Sequence, residues 1–337
     1  MTHLEILQLA IIGLCAGLIG GMLGIGGSII MIPAMTEVFG PDQHLYQAAA
    51  MIVNFFVAVP AVYQHRRARA IDPATVIRIV PLAVVTVVVG VGVSELPAFK
   101  GPGEAYLRGL FGLFLLFAGG WEVYRLLRRG RPGTSSAGAV TAVEGDAAPI
   151  GWRRASLVAV PTGLIAGLLG VGGGVLAGPL QRRFLNIPLR MAIANSATVV
   201  IATSLIGATA KNYAYLTAHG WTPKPFLLAA VLIPTAIVGS LYGSRLTHRL
   251  RLDFVKAAFG LLLIVAAIRL MSGAAASLPR PRTPSQEVAH AAFAPLLRTV
   301  GSEPRVPRQP GSTSRKPSTD TDSMNDFVRK LHDERST

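Results

Sequence analysis

Long apolar segments alternate with short polar connections along most of this chain. A stretch of roughly 20 apolar residues is long enough to span a bilayer as a helix. The pattern predicts eight hydrophobic segments, at residues 4–36, 46–63, 74–93, 105–127, 155–180, 190–216, 225–247 and 253–273. The fold predicted from this pattern is an all-α polytopic membrane protein.

Composition and charge agree with a membrane protein. Of the 337 residues, 51% are hydrophobic and only 15% are charged, whereas soluble domains carry about 25% charged residues. The net charge of +15 comes from arginines and lysines in the loops and the tail, as in the cytoplasmic loops of membrane proteins. We therefore expect the lipid bilayer, and no nucleic acid, as a partner. Because no basic stretch precedes the first apolar segment, we expect that segment to be retained as a helix.

A glycine-rich stretch occurs twice in the chain. "GLIGGMLGIGGSIIMIPAM" at residues 17–35 and "GLIAGLLGVGGGVLAGPLQ" at residues 163–181 share nine of nineteen positions, and Pro33 aligns with Pro179. A second, shorter similarity relates "LFGLFLL", which begins at residue 110, to "AFGLLLI", which begins at residue 258. The chain therefore divides into a first membrane repeat (1–127), a polar linker (128–154), a second membrane repeat (155–273) and a disordered basic tail (274–337).

Charges in the loops bear on the orientation of the two halves. In the first half, the "QHRRARA" loop and the linker are basic, which indicates four crossings with the N-terminus and the linker cytoplasmic. The second half keeps its arginine-rich loops cytoplasmic only if the segment 155–180 dips into the membrane and returns. We therefore expect an inverted repeat, an architecture that recurs in transporters.

The two glycine runs are the first candidate site. Glycine weakens a helix by up to about 1 kcal/mol relative to alanine, so the runs predict helix breaks at equivalent places in the two halves. A helix that restarts after a break offers free N–H donors and a positive dipole end, which suit an anion. The alternative is close helix packing through small residues four apart, such as Gly13 and Gly17 or Gly163 and Gly167. The candidate anion-binding residues in the runs are Gly24, Gly26, Gly27, Ser28, Gly170, Gly172, Gly173 and Gly174.

These motifs carry a family resemblance. "GLIGGMLGIGGSIIMIP" and "GLIAGLLGVGGGVLAGP", one in each half, resemble the sulfite exporter TauE/SafE family of bacterial membrane proteins, over most of residues 10–270. The resemblance implies transport of small sulfur-containing anions, such as sulfite or organosulfonates, across the cytoplasmic membrane. It does not determine the substrate or the direction of transport, because members of the family differ in both.

Polar residues inside the second segment of each half extend the candidate site. Asn54, Asn195 and Thr198 lie within apolar stretches, and polar groups there should face the protein interior. Asn195 and Thr198 lie one turn apart, so they are candidate substrate contacts; the alternative is ordinary hydrogen bonding between or within helices. Lys211 either supplies positive charge to an anion site or extends to the membrane surface.

Taken together, the residues predict a secondary transporter or facilitator for a small sulfur-containing anion in the inner (cytoplasmic) membrane. We expect no cofactor, no metal and no enzymatic activity, because the chain shows no catalytic constellation and no carboxylate at mid-membrane depth. Two alternatives remain open: a non-transporting scaffold or assembly factor that acts through its tail, and an anion channel. The sequence leaves the oligomeric state undetermined.

Overall fold

The computed structural model describes residues 2–128, 151–247 and 252–277, and the part of the chain that it describes is all-helical. Ten α-helices follow one another, with two short 3₁₀ turns between the fourth and the fifth. The helices are α1 His3–Leu23, α2 Ser28–Phe39, α3 Gln43–Arg67, α4 Pro73–Ser94, α5 Glu104–Arg128, α6 Trp152–Leu169, α7 Gly174–Phe184, α8 Leu189–His219, α9 Lys224–Thr247 and α10 Leu252–Ser277. The predicted linker and tail lie almost entirely outside the described residues.

Seven of the described helices are long and apolar enough to cross a membrane, namely α1, α3, α4, α5, α8, α9 and α10. Of the eight hydrophobic segments that the sequence predicted, 155–180 is the one that contributes no such helix, and it is also the segment that was expected to dip into the membrane and return. The segment 155–180 is divided between α6 and α7 because the glycine run interrupts it. Arg153 and Arg154 also occupy the first turn of the 18-residue helix α6, which shortens its apolar part.

Side-chain caps fix where several helices begin. Thr2 and Glu5 form a capping box at the start of α1, each side chain bonding the backbone N–H of the other residue. Asp42 caps α3 through the N–H of Leu45, and Asp72 caps α4 through the N–H of Ala74. These polar caps lie in the connections between apolar segments, so the connections themselves specify the helix starts.

The two halves interlock through pairs of closely packed helices. Helix α1 of the first half packs along α9 of the second, and α6 of the second half packs along α4 of the first. Glycines line both contacts: an added Cβ would overlap the Ala236 carbonyl oxygen at Gly17 and the Val87 carbonyl oxygen at Gly167. The close packing that the sequence offered as the alternative role of Gly17 and Gly167 is therefore present in the structure.

Helices at equivalent positions of the two halves pack against each other in an antiparallel orientation. The pairs α3 with α8 and α5 with α10 both join equivalent positions of the two halves. Along α3 the partners on α8 run backwards, because Gln47 meets Lys211 and Met51 meets Gly207. Antiparallel contact between equivalent helices is what an inverted repeat requires; the sidedness of each half in the membrane stays a prediction.

Gly167→Ala is expected to destabilise the packed helices by about 3 kcal/mol, because the new methyl group overlaps backbone atoms of α4 and the two helices must separate. Unfolding of the purified protein in a denaturing detergent titration measures this change. Gly92→Ala is the matched control on α4: a Cβ there meets nothing within 4 Å, so we expect no loss of stability and a gain of up to about 1 kcal/mol, because alanine favours the helix more than glycine does. Equal stability of the two variants would contradict the close α4–α6 contact.

Candidate functional site

Both glycine runs interrupt their helices at equivalent places. α1 ends at Leu23 and α2 begins at Ser28, while α6 ends at Leu169 and α7 begins at Gly174. Gly24 and Gly170 terminate the preceding helices in the left-handed conformation, with φ of +65° and +73°. Residues with side chains rarely adopt this conformation, so glycine is required here. The predicted helix breaks are confirmed.

The chain reverses direction at each break. An added Cβ on Gly27 would lie 3.5 Å from the carbonyl carbon of Ala16, and one on Gly173 would lie 3.0 Å from the carbonyl oxygen of Thr162. Each short helix therefore folds back along the helix that precedes it. The break is the tip of a helical hairpin in which backbone groups at both helix ends lack a continuous ladder of hydrogen bonds.

The two breaks contact each other in the protein interior. A Cβ on Gly174 would lie 2.6 Å from Cα of Ile25 and 2.7 Å from the carbonyl oxygen of Gly24. The hydroxyl of Ser196 on α8 donates a hydrogen bond to the same Gly24 oxygen at 2.9 Å. The sequence-predicted residues of the two runs are thus brought together, and all of them are buried.

Asn54 on α3 closes the first break. Its Oδ1 accepts hydrogen bonds from the N–H groups of Gly27 (2.7 Å) and Ser28 (2.9 Å), and its Nδ2 donates to Oγ of Ser28 (2.8 Å). The start of α2 is therefore capped by a side chain from another helix. Nδ2 of Asn54 also lies 2.9 Å from the position of a Cβ on Gly172, so Asn54 contacts both breaks.

Hydroxyl groups of α8 and α6 surround the second break. Thr203 donates to the carbonyl oxygen of Gly172 at 2.7 Å, and Oγ of Ser204 lies 2.9 Å from the position of a Cβ on Gly172. The methyl group of Thr162 packs against Gly173. No side chain among the described residues caps α7, in contrast to α2.

Asn195 and Thr198 make their hydrogen bonds away from the breaks. Oδ1 of Asn195 accepts from the N–H of Asp72 at 2.8 Å, at the start of α4. Thr198 donates to the Ala194 carbonyl oxygen within its own helix at 3.1 Å. The structure thus gives both residues the ordinary hydrogen-bonding role that the sequence left as the alternative, and their part in substrate contact stays a prediction.

Lys211 is buried in a polar cluster and does not extend to the surface. Only 1% of it is exposed, and its Nζ donates to Oε1 of Gln47 and to Oγ of Ser94, both at 2.6 Å. Gln47 in turn packs against Gly170, with its Cβ 2.8 Å from the position of a Cβ on that glycine. Lys211 is therefore connected to the second break through a single side chain.

Glu95, at the end of α4, places its Oε1 3.9 Å from Nζ of Lys211. His44 and Lys100 also approach this carboxylate, at 3.4 and 3.2 Å. Burial alone would raise the pKa of Glu95, but the hydrogen bond with His44, the charge of Lys211 and the hydrogen bond with Lys100 together lower it to about 2. The carboxylate is therefore charged at neutral pH and balances the buried lysine.

A cavity of about 250 Å³ borders both breaks. Ile25 of the first break and Gly174 at the start of α7 form part of its wall. Most of the remaining wall is apolar, including Trp121 of α5, while Arg182 of α7 contributes a basic group. The breaks therefore adjoin space that a small molecule with an apolar part fits.

Sequence reasoning missed several residues that complete the site. The predicted site residues do not include Gln47, Ser94, Thr162, Ser196, Thr203 or Ser204. The repeat itself could have identified some of them: Thr162 and Ser204 align with Ala16 and Ala58 of the first half. Hydroxyls present in one half and absent from the other mark positions where the two breaks differ.

The sequence model of the family described as "Sulfite exporter TauE/SafE" matches residues 9–270. This chain belongs to that family. The match covers both glycine breaks, α3 and α8, so the residues that build the site all lie within the TauE/SafE region. No solved structure matches the chain.

Curated relatives of this TauE/SafE protein are named probable membrane transporter proteins. MamO of Magnetospirillum gryphiswaldense is 29% identical over 295 residues, covering 80% of this chain and 45% of the relative. The relative MJ0441 of Methanocaldococcus jannaschii is 23% identical, and the match covers 76% of this chain and 94% of the relative. YunE of Bacillus subtilis is 22% identical, and the match covers 78% of this chain and 96% of the relative. The chain thus spans less than half the length of MamO but nearly the whole of the other two relatives.

Proposed function

We propose that this protein is a secondary transporter or facilitator that moves a small sulfur-containing anion, sulfite or an organosulfonate, across the cytoplasmic membrane. The observation that carries the proposal is the contact between the two breaks, where Gly174 lies against Gly24 and Ile25. Broken helices that meet in the membrane interior are the usual construction of a transport site. The names of the relatives support transport, and the family description supports a sulfur oxyanion.

Backbone N–H groups and uncharged side chains provide the chemistry for anion binding. The starts of α2 and α7 direct partial positive charge toward the junction of the breaks. Asn54 and Ser204 add polar atoms at the same junction. A dehydrated oxyanion accepts several hydrogen bonds at once, which such a site supplies without a basic side chain at the break.

The cavity beside the breaks suits the organic part of an organosulfonate. Its wall is largely apolar, so it accommodates a short carbon chain, while Arg182 and Arg183 place positive charge on the same wall. An anion attracted to these arginines approaches the start of α7 through Gly174, which belongs to both the cavity and the break.

The contact between the breaks also provides the barrier to leakage. Because the breaks touch, an anion passes only when the two halves shift relative to each other, as in rocking transporters. The chain shows no ATP-binding motif, so the driving force is a gradient of the substrate or of a coupled ion.

Gly26→Leu and Gly172→Leu are expected to lower anion flux at least a hundredfold. Both glycines have positive φ and would place a Cβ within 2.9 Å of Asn54, so leucine fills the junction of the breaks. Uptake of sulfite, taurine and sulfoacetate into proteoliposomes measures the effect, with saturation of the flux distinguishing a carrier from a channel. Gly92→Leu, on a glycine with open space around it, is the control and should transport at the wild-type rate. Preserved flux in both break variants would contradict the proposed site.

A further inference from the structure

The two breaks occupy equivalent positions but differ in local backbone and in polar surroundings. The residue before α2, Gly27, has φ of −91°, whereas the residue before α7, Gly173, has φ of +81°. Positions 146 residues apart are equivalent, since α2 begins at Ser28 and α7 at Gly174. At this spacing Asn54, the cap of the first break, corresponds to Val200. Val200 does lie at the second break, with Cγ2 2.7 Å from the position of a Cβ on Gly174. A valine accepts no hydrogen bond, so the start of α7 lacks the cap that closes the start of α2.

The second break consequently leaves buried donors without partners. Gly173 and Gly174 are buried, and the hydrogen bonds of the described residues include none from their N–H groups. The equivalent N–H groups of Gly27 and Ser28 both bond to Asn54. Buried backbone N–H groups without a partner are rare in folded proteins, and each costs about 1–3 kcal/mol.

Two buried hydroxyls without partners adjoin the same break. Ser204 is fully buried, its Oγ has no hydrogen-bond partner, and that atom lies over Gly172. Thr162 is also fully buried, its methyl group packs on Gly173, and its hydroxyl has no partner. Both hydroxyls replace alanines of the first half, so these two unpartnered hydroxyls have no counterparts at the first break.

We propose that the start of α7 is the single anion-binding site of this protein, and that the first break is a structural element sealed by Asn54. In this site the N–H groups of Gly173 and Gly174 and the hydroxyl of Ser204 bind the oxygens of the anion, and Thr162 joins them by rotating its hydroxyl. This inference rests on the proposed function, and it assigns the binding to one of the two repeats.

The donors of the site favour a monovalent oxyanion. All of them are uncharged, and the start of a helix contributes only about half a positive charge. The cost of burying an ion rises steeply with its charge, so neutral donors compensate one negative charge better than two. A sulfonate head group fits this site better than sulfate does.

The site is closed in the conformation described. Asn54 Nδ2 and Ser204 Oγ both lie within 2.9 Å of the position of a Cβ on Gly172, which leaves no room for an anion between them. Binding therefore accompanies a separation of α7 from α3. Asn54 can stay on the first break during this movement, since its three hydrogen bonds are all made to Gly27 and Ser28.

Val200→Asn tests the inference by introducing the missing cap. The new amide is expected to accept hydrogen bonds from Gly173 and Gly174 and thereby displace the anion. We expect binding of methanesulfonate to the purified protein in detergent, measured by isothermal titration calorimetry, to weaken at least tenfold. Ser204→Ala tests the same site by a smaller change and should weaken binding about tenfold, the value of one hydrogen bond to a charged group.

Ala58→Ser is the matched control, because it adds a hydroxyl at the position of the first half that corresponds to Ser204. Its affinity for methanesulfonate should equal that of the wild type, and sulfate should bind the wild type at least tenfold more weakly than methanesulfonate. If the wild type binds methanesulfonate and both Val200→Asn and Ser204→Ala bind it equally well, the single-site inference is wrong while the proposed function stands. If the wild type neither binds nor transports methanesulfonate, sulfite or taurine, both are wrong.

Discussion

Asn54→Leu is expected to destabilise the membrane region by about 4 kcal/mol. Leucine has a similar size but removes the acceptor of two buried N–H groups, on Gly27 and Ser28, and each unsatisfied group costs about 1–3 kcal/mol. It also removes the donor to Oγ of Ser28. The free energy of unfolding in a denaturing detergent titration measures the loss. A stability equal to that of the wild type would show that the start of α2 does not depend on this cap.

Asn54→Asp separates the structural role of this residue from its effect on transport. The carboxylate keeps the acceptor for the N–H groups of Gly27 and Ser28 at the start of a helix, where negative charge is favourable. Because the position is buried, the charge itself carries a desolvation cost, so we expect the variant to be less stable than the wild type and more stable than Asn54→Leu. The added charge lies next to Gly172 and repels an incoming anion. Anion flux in proteoliposomes should fall at least tenfold. Normal flux in a folded Asn54→Asp variant would place the anion path elsewhere.

Glu95→Gln is expected to destabilise the protein by about 3 kcal/mol, because it removes the carboxylate that balances the buried charge of Lys211. Breaking a buried ion pair by removing one partner typically costs about 3–5 kcal/mol, and Glu95 is partly exposed. Detergent unfolding at pH 7 measures the loss. Lys211→Met combined with Glu95→Gln removes both charges and should recover most of the lost stability.

Acid should reduce the difference between the wild type and Glu95→Gln. The pKa of Glu95 is lowered from 4.5 to about 2, so its charge stabilises the folded protein fully above about pH 4.5. This contribution is lost as the pH falls from 4.5 through 2. A difference that stays constant between pH 7 and pH 2.5, or a double variant no more stable than Glu95→Gln, would contradict the pairing with Lys211.

The helix breaks could be predicted because glycine acts locally. A run such as "GVGGG" disfavours a helix whatever surrounds it, and its repetition after 146 residues excluded chance interruption. The same argument predicted the close packing at Gly17 and Gly167, since four-residue spacing puts small residues on one face of a helix. In both cases the information lies within a single stretch of the chain.

The partners of polar side chains depended on packing that the sequence does not display. Asn195 and Thr198 lie on one face of α8, but the sequence does not show which helix this face contacts. In the structure Asn195 bonds the start of α4, which lies more than a hundred residues away in the chain. Lys211 was expected to extend to the surface or to serve an anion site directly. Its partners Gln47 and Ser94 lie 164 and 117 residues away, so only the assembled bundle showed that its charge is held inside.

The order of synthesis conflicts with the order of packing in this fold. The glycine-lined face of α1 at Gly17 packs against α9, which is translated more than 200 residues after α1. Helix α1 is therefore synthesised before the helix that it packs against. A chain truncated before α9 therefore lacks the packing partner of α1 and leaves the glycine-lined face of that helix uncovered.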